Sequence, residues 1–328
     1  MQSIKGQTTR KQQEQKRYRR KIRKKRFLCS ILAIIFLALV GICIRYVGNQ
    51  DSFIIKGAPD QKVNGITINL KSIHSKDLIL IDTVQGSTLV SQNSNKKVYP
   101  ASLTKIMTAL IAIERTQNME QTITMPSDIY ESLYEQDASM AGFVPGEKVR
   151  KKDLLYGILL PSGAECCEAY AKNISGSEKD FVKLMNQKAK ELGMSHTNYT
   201  NCTGLHDSKH YTTVEDLSIL VKYAIKNQNF REIFTSNQYC TKATKQHPDG
   251  ITFHSTMFSN MDSAKVNGGQ ILGGKTGYTD EAGLCLASLA SINGKEYVLI
   301  TTDAEGTHST EQFHIQDAIN IYNQLGAG

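Results

Sequence analysis

Tyr99-Pro100-Ala101-Ser102-Leu103-Thr104-Lys105-Ile106-Met107-Thr108-Ala109-Leu110 is the stretch around which the rest of the chain can be read. Pro100 turns the residue before it away from helix. From Ser102 onward Ile106, Leu110 and Ile113 recur at helical spacing, so the pattern predicts a helix that starts near Ser102. A serine hydroxyl then lies in the first turn, with the Lys105 amine three residues on and on the same face. The helix N-terminus adds a partial positive end that favours negative charge beside it. A serine so placed can serve as a nucleophile with the lysine as its base, or it can simply cap the helix. Ser-x-x-Lys alone leaves both readings open, and its partners elsewhere in the chain decide.

Working outward, residues 78–82 and 87–91 are short β-prone runs joined through Thr83-Val84-Gln85-Gly86, a hairpin just ahead of the Ser102 helix. At the far end, residues 283–292 and 296–302 flank Asn293-Gly294, the strongest short hairpin signal in the chain, and an amphipathic helix is expected over 312–324. Between these ends residues 103–235 are mostly helical in pattern, with helices expected over 149–160, 166–173, 179–192 (stopped by Gly193) and 213–226. Strands at both ends around a helical middle predict an α/β fold of the α+β kind. One antiparallel sheet is built from the two chain ends, and a helical lobe is inserted between them.

The N-terminus reads differently. Residues 1–26 hold twelve Lys or Arg against one acid, Glu14. They are followed by FLCSILAIIFLALVGICI, residues 27–44, without a charge. As a helix this run would be about 27 Å long, enough to cross a bilayer core. The basic flank predicts a cytoplasmic tail (1–26), a single-pass transmembrane signal anchor (27–45) and an extracellular remainder. Cleavage as a signal peptide would call for small residues closing the apolar run, and no clear pair does so. Residues 46–70 read as a stalk or linker, and 71–328 as one two-lobed domain.

The whole chain carries a formal charge of +8, which on its face suggests a nucleic-acid binder. Setting the tail aside leaves 27 basic and 30 acidic residues, a net −3, so the basic cluster is a topology signal and nucleic acid is not an expected partner. Five cysteines lie beyond the apolar run, an odd number without Cys-x-x-Cys or Cys/His ligand spacing, so neither a full disulfide framework nor a metal site is expected. Adjacent Cys166 and Cys167 read as small buried helix residues, with a redox pair as the sharper alternative.

Two further stretches join the first. Leu159-Leu160-Pro161-Ser162-Gly163-Ala164-Glu165 offers a second serine in a tight, exposed turn between helices. Gly273-Gly274-Lys275-Thr276-Gly277-Tyr278-Thr279 offers a lysine, hydroxyls and three glycines directly before the last hairpin. In order and content the three resemble the Ser-x-x-Lys, Ser-x-Asn and Lys-Thr-Gly elements of penicillin-recognising serine enzymes, hence a β-lactamase/transpeptidase-like fold. More closely, PASLTKIMTALIAIE, FVPGEKVRKKDLLYGILLPSGAE, FVKLMNQKAKELGMSHTNYTNCTGLHD, YTTVEDLSIL and GGKTGYTDEAGLCLAS resemble the D-alanyl-D-alanine carboxypeptidases, the low-molecular-weight penicillin-binding proteins.

That resemblance implies an enzyme that removes the terminal D-alanine from peptidoglycan stem peptides through an acyl-serine intermediate, with β-lactams as covalent inhibitors and no cofactor. It implies Ser102 as nucleophile, Lys105 as base and Ser162 as a proton relay. Lys275 and Thr276 would bind the substrate carboxylate, and the backbone N–H groups of Ser102 and Tyr278 would form the oxyanion site. Gly273, Gly274 and Gly277 would admit an extended substrate beside an edge strand. His206 tempts as part of a Ser-His-Asp triad, but the lysine base makes that unnecessary and a loop-ordering role is expected. One position departs from the pattern. Ala164 stands where the family's middle motif has asparagine, so a substrate-positioning amide is missing. Activity is then expected to be weak, altered in substrate, or compensated by a neighbour such as Glu165 or a water. A D,D-endopeptidase, a β-lactamase and a catalytically weak penicillin sensor remain the alternatives.

Overall fold

The computed structural model describes residues 61–63 and 66–327. The basic tail and the apolar run expected to span a membrane lie outside them, and among the described residues no helix is long and apolar enough to cross a bilayer.

In chain order the strands are β1 (Gln61–Val63), β2 (Ile66–Ile68), β3 (Asp77–Asp82), β4 (Thr88–Gln92), β5 (Thr122–Thr124), β6 (Lys148–Arg150), β7 (Gln238–Cys240), β8 (Thr252–His254), β9 (Lys265–Val266), β10 (Gly269–Thr279), β11 (Gly283–Ile292) and β12 (Lys295–Ala304). The helices are α1 (Thr104–Glu114), α2 (Tyr130–Glu135), α3 (Lys151–Leu159), α4 (Ala164–Ser175), α5 (Glu178–Leu192), α6 (Val214–Ala224), α7 (Gln228–Phe234) and α8 (Phe313–Gly326). A six-stranded sheet in the order β4-β3-β12-β11-β10-β9 joins the two chain ends, every neighbouring pair antiparallel. This is the sheet expected from the sequence, with helices α1–α7 inserted between its halves.

Alternation along the strands explains the layering. On β3, Ile79 and Ile81 face the helical lobe together with Ala287, Leu289, Val298 and Ile300. Leu78 and Leu80 point the other way, where with Leu286 and Leu299 they meet Ile315, Ala318, Ile321 and Tyr322 of α8. Both faces are thus covered, and each fully buried Leu or Ile contributes about 1.5–3 kcal/mol. The stretch expected as linker reaches into this second core, since Ile68 and Leu70 are buried there. Asn293 and Gly294 both take positive φ (50° and 76°), the conformation that a tight β11–β12 turn demands.

α1 is the spine of the helical lobe. Every residue from Thr104 to Ile113 is buried, which suits a helix apolar on nearly all sides. It packs against α3, α4 and α6. Helix α3 begins at Lys151 rather than 149, because Lys148–Arg150 pair with Thr122–Thr124 as a strand. Helix α5 is capped by the Ser177 hydroxyl and ended by Gly193 at φ 82°, and α6 by the Thr213 hydroxyl accepting from Asp216 N.

Candidate active site

Ser102 sits in a single 3₁₀ turn, Ala101–Leu103, that feeds directly into α1. Ala101 has φ 45°, a left-handed value that costs an L-residue energy and here tightens the chain just before the serine. The loop at Gly204 holds it there: a Cβ on Gly204 would stand 1.9 Å from the Ala101 carbonyl oxygen. From the sheet side, a Cβ on Gly277 would lie 3.0 Å from Ser102 N. The serine is therefore gripped between the 201–204 loop and β10.

Lys105, one helical turn on, brings Nζ to 3.1 Å from Ser102 Oγ and donates to the Thr203 carbonyl at 2.7 Å. Burial pushes the Lys105 amine below its ordinary range, although nearby thiols and Glu165 act the other way. Lowering this pKa raises the fraction of neutral amine able to take a proton. Ser162 Oγ donates to Ser102 Oγ at 3.0 Å, so the three polar groups form one continuous chain.

The turn carrying Ser162 is not exposed, as the sequence suggested, but buried: Ser162 is 5% accessible. Its φ of 69° is left-handed, and the turn is pressed under the 139–142 segment, where a Cβ on Gly163 would stand 2.6 Å from that of Ala141. Ala164 follows as the first residue of α4 and is itself buried. Glu165 does not fill the place of the missing amide. Its carboxylate is buried, and Oε1 accepts from the backbone N–H of Ala141 (2.7 Å) and Gly142 (2.9 Å). Burial raises its pKa.

On the sheet side, Lys275 is buried, with Nζ donating to the Thr276 carbonyl at 2.7 Å. Its pKa falls well below the usual lysine value, from burial first and then from the charge of Lys105. Thr276 Oγ1 lies 2.6 Å from Thr256 Oγ1. Beyond Ile271 the outer edge of β10 has no strand partner among the described residues, since β9 pairs only with Gly269 and Gln270. The glycines there also have a reason within the protein itself. A Cβ on Gly273 would meet the Phe234 carbonyl at 2.3 Å, and one on Gly274 the Ala287 carbonyl at 2.6 Å, so both are required by the protein's own packing.

Ser102, Ser162, Lys275, Thr276, Gly277 and Tyr278 together line a cleft of about 110 Å³. Ser139, Thr256, Asn260, His308 and His314 line it too, and nothing in their local sequence singled them out. Thr203, whose carbonyl holds Lys105, was equally hidden; its signal was the Asn201–Gly204 turn, in which Asn201 Oδ1 accepts from Gly204 N at 2.7 Å. His206 lies 3.4 Å from Glu281 and edge-on to Tyr99, an ordering contact between loops. Cys166, Cys167, Cys202, Cys240 and Cys285 are free, and Cys166 and Cys167 are buried on α4. Glu168, Glu178 and Cys202, far apart in sequence, bring their donor atoms within 4.8 Å of one another. Burial, and then the neighbouring Glu178, push Glu168 up to about 8.

A serine hydroxyl in contact with a buried lysine and a second serine, beside an open strand edge, is an arrangement chemically suited to acyl transfer through the serine. The family model for D-alanyl-D-alanine carboxypeptidases, peptidase family S11, matches residues 64–306, and the chain belongs to that family. The carboxypeptidase DacF of Bacillus subtilis is 36% identical over 229 residues, 66% of this chain and 54% of that one. A D-alanyl-D-alanine carboxypeptidase of Streptomyces sp. strain K15 is 29% identical over 220 residues, 65% of this chain and 75% of that one. The crystal structure of the Streptomyces K15 DD-transpeptidase superposes with a TM-score of 0.70 at 26% identity, covering 78% of this chain and 98% of that chain. Against the Bacillus relative, the chain spans only about half the length.

Proposed function

We propose that this protein is a membrane-anchored serine carboxypeptidase that releases the terminal D-alanine from peptidoglycan stem peptides ending in D-Ala-D-Ala. The observation that carries the reading is the contact chain Lys105 Nζ to Ser102 Oγ to Ser162 Oγ, at 3.1 and 3.0 Å. Ser102 Oγ attacks the carbonyl of the penultimate D-alanine while its proton passes to neutral Lys105. The oxyanion is met by the N–H groups of Ser102 and Tyr278. Ser162 relays the proton to the departing amine, D-alanine leaves, and water then hydrolyses the Ser102 ester. The free β10 edge suits an extended substrate, and Thr276 and Lys275, which line the cleft, are the residues we assign to its terminal carboxylate.

Incubating the full-length chain with a labelled penicillin and with a D-Ala-D-Ala pentapeptide separates the readings. Labelling with D-alanine release supports the carboxypeptidase. Labelling alone turns the reading into a sensor, and rapid penicillin turnover into a β-lactamase. A D-alanyl-D-alanine endopeptidase of Pseudomonas aeruginosa, 28% identical with 79% of each chain covered, is the reason to include a cross-linked dimer among the substrates.

Residues 27–44 would anchor the chain, with the tail inside and the enzyme outside. Protease added to intact cells is expected to degrade everything after Arg45 and leave a small N-terminal fragment; complete protection until lysis would reverse the orientation.

For carboxylate recognition, Lys275→Ala is expected to weaken both peptide cleavage and penicillin acylation. A charge-assisted hydrogen bond is worth about 1.5–3 kcal/mol, which corresponds to a loss of about tenfold to a hundredfold or more. Blocking the peptide's carboxylate as an amide then costs the wild type much and the variant little. Equal costs in both would place the carboxylate elsewhere in the cleft.

A further inference from the structure

Ala164 leaves the corner beside the Ser102–Ser162 pair without the amide that the family resemblance leads one to expect, and three observations converge on what occupies it. The segment 139–142 is clamped to the Ser162 turn by backbone and buried carboxylate. Ala164 N–H donates to the Ser139 carbonyl at 2.8 Å, and Ala141 and Gly142 donate to Glu165 Oε1. Ser139 is thereby held one hydrogen bond from residue 164. It lines the same cleft as Ser102, Ser162 and Thr276. Its side chain is exposed, and its hydroxyl has no hydrogen-bond partner among the described residues.

Everything else at this corner is already committed. Ser162 Oγ is bonded to Ser102, Glu165 Oε1 is bonded to the backbone of the clamped segment while its unpaired Oε2 is buried out of reach of the cleft, and Ala164 brings only a methyl group. A substrate lying along the open edge of β10 is contacted by the sheet on one side. On the other it meets the helical lobe, whose free polar side chain here is Ser139. The peptide group preceding the scissile bond needs a partner when it leaves water, because a buried unpaired amide or carbonyl is costly.

We propose that the Ser139 hydroxyl binds that peptide group of the substrate, taking over at position 139 the contact that an asparagine at 164 would have made. Glu165 acts through the segment it clamps, as a positioning residue. The proposal rests on the carboxypeptidase reading above, and it makes the chain's departure at Ala164 a relocation of a contact rather than a loss of one.

The test compares Ser139→Ala, Ser139→Thr and Ser139→Ala combined with Ala164→Asn in the full-length chain, measuring kcat/KM for D-alanine release from the pentapeptide together with the thermal midpoint. One neutral hydrogen bond makes the expected loss in Ser139→Ala about three- to tenfold, with the thermal midpoint unchanged because the Ser139 carbonyl contact is kept. Ser139→Thr retains activity through its hydroxyl, and Ala164→Asn restores most of what Ser139→Ala loses. Wild-type activity in Ser139→Ala, or a Thr variant as impaired as the Ala variant, overturns the role of the hydroxyl. Failure of Ala164→Asn to restore activity overturns the exchange of one contact for the other. A wild type that releases no D-alanine fails the carboxypeptidase reading itself, which is a different outcome from any of these.

Discussion

Ser102→Ala is expected to give a folded protein that forms no covalent penicillin adduct and releases no D-alanine. The ester oxygen in the proposed intermediate can come only from Ser102 Oγ, and removing a nucleophilic serine of this kind costs about a millionfold in turnover. The fold should tolerate the change. Lys105 keeps its bond to the Thr203 carbonyl, the Ala101 turn remains gripped between Gly204 and Gly277, and only the two contacts to the hydroxyl disappear. Ser162 loses the acceptor of its hydrogen bond, which costs about 1 kcal/mol or less if water replaces it. The measurement is electrophoretic detection of the labelled adduct alongside thermal unfolding. Labelling at the wild-type level with an unchanged midpoint would remove Ser102 from the mechanism and turn the search to Ser139 and Ser162.

How far the sequence could be read depended on the range of the interaction involved. Local signals were enough for the sheet and its hairpins: the apolar run of β3, the Asn293-Gly294 turn, and the Gly193 stop after α5 are each decided by a few neighbouring residues. Ser102, Lys105, Ser162 and Lys275 were legible because their motifs are contiguous and their chemistry distinctive. Thr203, Ser139 and Thr256 were not, because each contributes through a contact 98, 25 or 20 residues away in sequence, and serine or threonine in a loop looks the same whether or not a cleft is nearby. The same limit explains the misjudged Ser162 turn. A Pro-Ser-Gly turn reads as surface, and only the overlying 139–142 segment, held by Glu165, buries it. It also explains Gly273 and Gly274, whose packing against the end of α7 and a carbonyl of β11 no local signal announces.

Lys105→Ala carries the second large effect, and its pH dependence separates a base from a spacer. Positioned general bases contribute about 10²–10⁴-fold, so acylation by a labelled penicillin should slow by about that factor. In the wild type the rate is expected to rise as pH climbs through the lowered pKa of Lys105, where the amine becomes neutral, and to be nearly flat over the same range in the alanine variant. Stability gives an independent reading of the same group. Burial lowers the folded-state pKa beneath the ordinary lysine value of 10.5, so between the two values the unfolded chain binds more protons than the native one and stability rises with pH. Lys275 shifts in the same direction and adds its own share, so Lys105→Ala removes only part of this slope and the Lys105→Ala, Lys275→Ala double variant removes most of it. The variant does lose a donor to the Thr203 carbonyl, which loosens the 201–204 loop and contributes to the fall in rate. That structural share does not titrate. A variant as slow as expected, but with the wild-type pH profile intact, would therefore assign Lys105 to holding the loop and move the base to another group in the cleft.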